Sequence, residues 1–276
     1  EITTRKPYLT DLTEAEWSIL EPFMPETSFL VVRESIAGEN LKAIFYIVRT
    51  GGAWRHLPHD FPKWQSVYYY FRVWRLNGFW EFVHTAIREQ LRLRLGRNSQ
   101  PSAAIIDSQS VKTTFVRGER GYDGGKKVNG RKRHILVDTL GLFLSVKVHT
   151  GDIGEREGAK LLLAPLKDQF PRLELIWADA GYNGSPFKEW VKEHLNWLVK
   201  VVKGPSKWVW TGPGAQPPPL PQRFEILPRR WVVERSFGWL TRSRRLSRDY
   251  EGLAETSEML IYLTMTRLML SRLSRL

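Results

Sequence analysis

"RHILVDTLGLFLSVKVHTG", residues 133–151, decides how this chain is to be read. Two apolar runs rich in Val, Ile and Leu flank Asp138 to Gly141, and a short polar-and-glycine turn between such runs predicts a β-hairpin. Just upstream, "AAIID" at 103–107 is another short apolar strand. Downstream the pattern alternates: a helix in "EREGAKLLLAPLKDQF", a strand in "LELIWAD", a helix in "SPFKEWVKEHL", a strand in "WLVKVV" and, after a gap, a last helix. Strand, hairpin, helix, strand, helix, strand, helix predicts an α/β fold with a mixed sheet flanked by helices, the order of an RNase H-like core.

The first hundred residues have a different period. Thr13 followed by Glu16 has capping-box spacing, and Trp17 and Leu20 supply a helical stripe ended by proline. "NLKAIFYIVRTGG" and "KWQSVYYYFRVWRLNG", separated by the proline-punctuated "RHLPHDFP", predict a helix-turn-helix-like pair, and "FWEFVHTAIREQLRLRLG" closes the unit near residue 96. The expected division is a helical domain at 1–97 and the α/β core at 98–276. An insertion loop is expected at 204–225, because residues 203–225 carry six prolines and three glycines.

Charge points to the partner. The 276 residues have a formal net charge of +13. Residues 1–100 hold 13 Lys+Arg against 11 Asp+Glu, and the remainder 29 against 18, so the excess lies in the second part. A basic surface of that size favours nucleic acid. Cysteine is absent, which excludes a disulfide framework and a thiolate zinc site and suits a reducing cytosol. "EITTRKPYLT" has no apolar segment of the export type, and "MLIYLTMTRLML" at 259–270 is too short to cross a bilayer, so a cytoplasmic, DNA-facing protein with no membrane partner is expected.

Three carboxylates stand out. Asp107 ends the first predicted strand and Asp179 a later one, and ligands collect at the carboxyl ends of strands in open sheets. Glu234 lies in "RRWVVERSFGWLTRSRRL" (229–246), an otherwise basic helix, at the edge of a stripe of Val233, Phe237 and Leu240. Three acids brought together would repel each other unless cations intervened. Two Mg²⁺ ions about 4 Å apart, with Mn²⁺ as a substitute, would suit oxygen ligands and phosphodiester chemistry, so Asp107, Asp179 and Glu234 are the candidate catalytic and metal-holding residues. Each has a plainer use: the aspartates as turn or cap residues, Glu234 as a partner for Arg230 worth roughly 0.2–0.5 kcal/mol.

At this point "IIDSQSVKTT", "RGYDGGKKVNGRKRHILVDTLGL", "WADAGYNG" and "LPRRWVVERSFGWLTRSRRLSRDYE" resemble the bacterial insertion-sequence transposases of the DDE class, in the family numbered five. "LTEAEWSILEPFMP" and "AIFYIVRTGGAWRHLPHDFPKWQSVYYYFRVW" resemble their helical DNA-binding segment, so the likeness covers nearly the whole chain. It implies a DNA transposase, a homodimer or larger assembly associated with the bacterial nucleoid. Such a protein binds the inverted repeats of its element, frees the 3′ ends and joins them to double-stranded target DNA. It also implies that the two aspartates fall on Asp107 and Asp179, the latter in a D-x-G-Y pattern, and the glutamate on Glu234. Of the signature Tyr-x2-Arg-x3-Glu-x6-Lys, Arg230 and Glu234 match; Leu227 stands for the tyrosine and Thr241 for the lysine, with Arg242 next to it. "TSFLVVRESIAGEN" replaces a more basic segment of the relatives.

The DNA contacts expected are Lys63, Arg72 and Arg75 on a recognition helix; Lys112, Lys126, Lys127, Arg131, Lys132 and Arg133 in the glycine-bearing basic stretch 111–134; and Arg230, Arg242, Arg244 and Arg245 around the glutamate. Trp208 and Trp210 are candidates for stacking on a base or for packing on the sheet. Two other readings stay open: an RNase H-like nuclease that hydrolyses without joining strands, and a non-catalytic DNA-binding descendant of a transposase.

Overall fold

The structure, a computed structural model, describes residues 5–24, 34–114, 118–202 and 230–276. The proline-rich insertion with Trp208 and Trp210, Leu227, and residues 27–33 of the departing segment lie outside the described residues. Four helices come first: α1 (Glu14–Leu20), α2 (Glu34–Thr50), α3 (Trp64–Leu76) and α4 (Phe79–Arg94). The expected capping box starts α1, with Thr13 Oγ1 accepting from the Glu16 N–H and the Glu16 carboxylate accepting from the Thr13 N–H.

The α/β part follows as β1 (Ala103–Lys112), β2 (Gly121–Asp123), β3 (Val128–Asp138), β4 (Phe143–Thr150), α5 (Glu155–Leu163), β5 (Leu175–Ala178), α6 (Ser185–Leu195), β6 (Leu198–Val201), α7 (Arg230–Leu240) and α8 (Ala254–Leu273). The hairpin read from the sequence is β3–β4, paired from Arg131 with Thr150 to Val137 with Phe143. Asp138 makes its turn: Oδ1 accepts from the Leu140 and Leu142 N–H groups at 2.8 and 2.9 Å. Gly141 supplies the left-handed φ of 81° that a residue with a Cβ adopts only at a cost. The other oxygen of Asp138 is buried against the Arg92 guanidinium, which pins the hairpin to α4.

Strand β1 lies between antiparallel β3 and parallel β5, with β6 parallel beyond β5; β2 and β4 both pair with β3. Alternation along β1 sends Ile105 to one face and Ala104 and Ile106 to the other. The first face joins Val137 and Val146 to α1–α4, α7 and α8 in one continuous apolar core that includes Trp80, Phe237 and Met265. The second face carries α5 and α6, through Leu163 and Val191. The 259–270 stretch is the buried body of α8, and among the described residues no helix is long and apolar enough to cross a membrane.

Two expectations are corrected. Asp107 does not end its strand: β1 runs on to Lys112, because β3 continues to pair with it as far as Gly130. The stretch 111–134 is also less of a loop than its glycines and charges imply. Its two ends belong to β1 and β3, β2 lies between them, and Gly130 is a glycine because a Cβ there would run into the backbone of Val111 and Thr113.

Candidate active site

Asp107 sits where β1 loses a neighbour. Parallel pairing with β5 covers only Ala103 to Ile105, so among the described residues β1 has no strand partner on that edge from Ile106 until Asp249 bonds to Lys112 and Thr114, while β3 holds the other edge. Asp179 follows the last residue of β5 and caps a short turn at Ala180–Tyr182, its Oδ1 accepting from the Gly181 N–H at 2.8 Å. Asp107, Asp179 and Arg230 thereby line one crevice with Ile106, Ala178 and Val233. The apolar side of α7, Val232, Val233 and Phe237, is buried, and Glu234 points away from it with its side chain 62 % exposed.

Arg230 links the acids. Its guanidinium is 3.9 Å from Asp179 Oδ2 and 3.9 Å from Glu234 Oε1. The intrahelical pair that offered a plainer use for Glu234 therefore forms, and the same arginine also reaches the strand-end aspartate. Asp107 is half-buried, and burial pushes its carboxyl up from 3.8 to about 6. The charge of Asp179 adds to that rise, while the Ser108 N–H at 2.7 Å, Lys126 and Arg230 oppose it. Among the described residues no group of three or more His, Cys, Asp or Glu side chains is gathered closely enough, as it stands, to hold a metal ion. The donor set is nonetheless all carboxylate oxygen, the chemistry of Mg²⁺ and Mn²⁺. A cation also already stands between two of the acids in the form of the Arg230 guanidinium.

Sequence reasoning passed over a second layer of groups. Glu155, the first residue of α5, has Oε2 2.5 Å from Ser108 Oγ, 3.2 Å from His134 Nε2 and 3.4 Å from the Tyr182 hydroxyl, and Oε1 3.2 Å from Lys132 Nζ. Despite its partial burial, these partners hold its carboxyl well below the usual range. Tyr182 lies within the "WADAGYNG" motif; burial, with Asp107, Glu155 and Asp179 all nearby, raises its hydroxyl well above the ordinary tyrosine value. Glu155 carried no local signal beyond its place at a helix start.

The basic residues divide by exposure. Lys63, Arg72, Lys112, Lys126, Lys127, Arg242 and Arg244 are exposed, and Arg75 and Arg230 are half-buried. Lys126 donates to the Ser108 carbonyl at 3.1 Å, beside Asp107. Four expected DNA contacts are corrected, because Arg131, Lys132, Arg133 and Arg245 are buried and bonded within the protein. Arg131 donates to the carbonyls of Glu119, Glu251 and Gly252 and pairs with Asp249. Arg133 donates to the carbonyls of Leu246 and Arg248. Lys132 donates to the Ile153 carbonyl and pairs with Glu155 and Asp123. Arg245 pairs with Glu251 and donates to the Gly52 carbonyl. Charged groups this deep are retained where each finds a partner: Arg131 and Arg133 bind the segment after α7 to β3, Lys132 binds β3 to the start of α5, and Arg245 binds the segment after α7 to Gly52. On the proposed recognition helix, Phe71 and Trp74 are core residues.

A family model described as "Transposase DDE domain" matches residues 98–269, and one described as "Putative transposase of IS4/5 family" matches residues 12–84. No curated protein and no solved structure matches the chain.

Proposed function

The chain belongs to the transposase DDE-domain family of insertion sequences, and from that premise we propose that it binds the inverted repeats of its own element, cleaves the DNA at the element ends and joins the 3′ ends to target DNA. The observation that carries the reading is the meeting of Asp107 and Asp179 where the parallel pairing of β1 and β5 stops, with Arg230 standing 3.9 Å from both Asp179 and Glu234.

In this reading Asp107, Asp179 and Glu234 hold divalent metal, Mg²⁺ or Mn²⁺. A divalent ion held there would supply charge stabilisation to the attacking and leaving oxygens of the phosphodiester. The chain's own residues supply the rest. The Ser108 N–H fixes one oxygen of Asp107, and the Gly181 N–H fixes one of Asp179, so both carboxylates are aimed before DNA arrives. Exposed Lys112, Lys126 and Lys127 on one side, with Arg242 and Arg244 on the α7 side, attract the phosphates. Lys63 and Arg72 face solvent from the start and outer side of α3, with Arg75 half-buried behind them; they are the candidate contacts of the helical segment with the element ends. Arg230 would stay at the rim as a phosphate clamp. The assembly is a dimer or larger complex on two DNA ends.

The test is a labelled duplex carrying one element end, a target duplex, and Mg²⁺ or Mn²⁺. Wild-type protein yields 3′-end cleavage and joined products, while Asp179→Asn and Glu234→Gln lose both by at least ~1,000-fold, a scale consistent with losing a charge-stabilising group at a reacting phosphate, and bind DNA within twofold of wild type. Wild-type cleavage by Glu234→Gln overturns the assignment, and cleavage without any joined product assigns a nuclease instead.

A further inference from the structure

The groups around Glu155 form one connected device. Its carboxylate touches β1 through Ser108, the residue after Asp107, and the turn after β5 through Tyr182, three residues after Asp179. The side chain also packs against that turn: a Cβ added to Gly181 would lie 3.1 Å from Asp179 Oδ1 and 3.3 Å from Glu155 Cγ. Glu155 is thus a bracket between the two strands at the point where their backbone pairing has ended.

Two histidines support the bracket from β3 and β4. His149 Nδ1 lies 2.8 Å from the Thr150 carbonyl, which only accepts, so Nδ1 carries the hydrogen; burial lowers the His149 pKa to about 4, so the ring is neutral and its Nε2 is an acceptor. His134 Nδ1, 2.7 Å from that Nε2, must therefore donate. The remaining His134 nitrogen, Nε2, faces the Glu155 carboxylate at 3.2 Å, too oblique for a well-formed hydrogen bond but at ion-pair distance. Lys132 brings a positive charge to 3.2 Å from the Glu155 carboxylate and shares it with Asp123 at 3.5 Å. Gly158, one turn into α5, has no Cβ because one would clash with both imidazoles.

We propose that Glu155 is a positioning residue for the two aspartates, its carboxylate packed against His134 and Lys132 and tying the Asp107 strand to the Asp179 turn. The inference rests on the reading of Asp107 and Asp179 as catalytic. Any substitution that loosens the bracket lets the aspartates move apart while the sheet, held by β1–β3 pairing, persists.

The experiment uses the full chain in two assays. In the cleavage assay, Glu155→Gln lowers kcat at least tenfold with KM for DNA within twofold. Ser108→Ala gives a similar loss, and the double variant falls no more than threefold below Glu155→Gln alone, because both changes cut one tie. In metal-free buffer, amide hydrogen exchange in Glu155→Gln speeds at least fivefold over residues 107–112 and 179–184 and is unchanged in α8 and the β3–β4 hairpin. Three results overturn the proposal: wild-type kcat in Glu155→Gln, losses that multiply in the double variant, or exchange that is either unchanged or faster throughout the chain. If Glu155→Gln does not melt cooperatively, Ser108→Ala and Tyr182→Phe are judged by the same kcat and exchange criteria. Asp107→Asn separates the two levels of argument: cleavage by that variant sinks the catalytic reading, whereas an inactive Asp107→Asn beside a fully active Glu155→Gln sinks the positioning role alone.

Discussion

Replacing Asp107 by Asn should make the metal-free protein more stable at neutral pH while destroying its activity. The native carboxyl titrates at about 6 against an ordinary 3.8, chiefly because it is buried and beside Asp179. A native pKa above the unfolded one means the folded state binds the proton more tightly. The stabilisation this gives is complete below about pH 4, declines as pH rises, and is gone above about 6, where the ionised carboxylate costs free energy. The rise corresponds to about 3 kcal/mol at neutral pH, at about 1.4 kcal/mol per unit. An amide keeps the acceptor for the Ser108 N–H and removes the charge, but its own N–H groups lack an assured partner, which leaves a net gain of about 2 kcal/mol. For a chain of this size that is a rise in Tm on the order of 5 °C. The assay is thermal unfolding of both proteins in chelator from pH 4 to 8. The difference should be near zero at pH 4 and full by pH 7.5, and millimolar Mg²⁺ should raise the Tm of the wild type but not of Asp107→Asn. Equal Tm values at pH 7.5, or a difference that does not change with pH, would refute the reasoning.

Other substitutions test the division between structural and DNA-facing cations. Arg133→Ala should cost about 2–4 kcal/mol, read by chemical denaturation, because it strands the Leu246 and Arg248 carbonyls, and should leave the salt dependence of DNA binding unaltered. Lys127→Ala should leave Tm within 1 °C or so and reduce the slope of log Kd against log salt by about 1, as expected when a single phosphate is no longer neutralised by a lysine. Gly158→Ala should cost about 1–3 kcal/mol by overpacking against His134 and His149, and should slow cleavage as well as lower Tm, since α5 carries Glu155.

Much of the architecture could be read along the chain, because it depends on neighbours in sequence. The β3–β4 hairpin follows from Asp138 and Gly141 between apolar runs, α1 from Thr13 and Glu16, and the alternation of later strands and helices from apolar period. The three acids could be singled out for a similar reason: a carboxylate that closes an apolar run or sits on a basic helix departs from its own surroundings. Which cations face DNA could not be read that way. Arg131 and Arg133 look like phosphate ligands until the carbonyls of residues 246–252, more than a hundred positions on, arrive to take their donors. Nor could the extent of β1 or the bracket at Glu155, which is assembled from α5, three strands and a turn. Local patterning encodes which face of an element is apolar; where a charge finds its partner is settled only when distant segments close on it and exclude water.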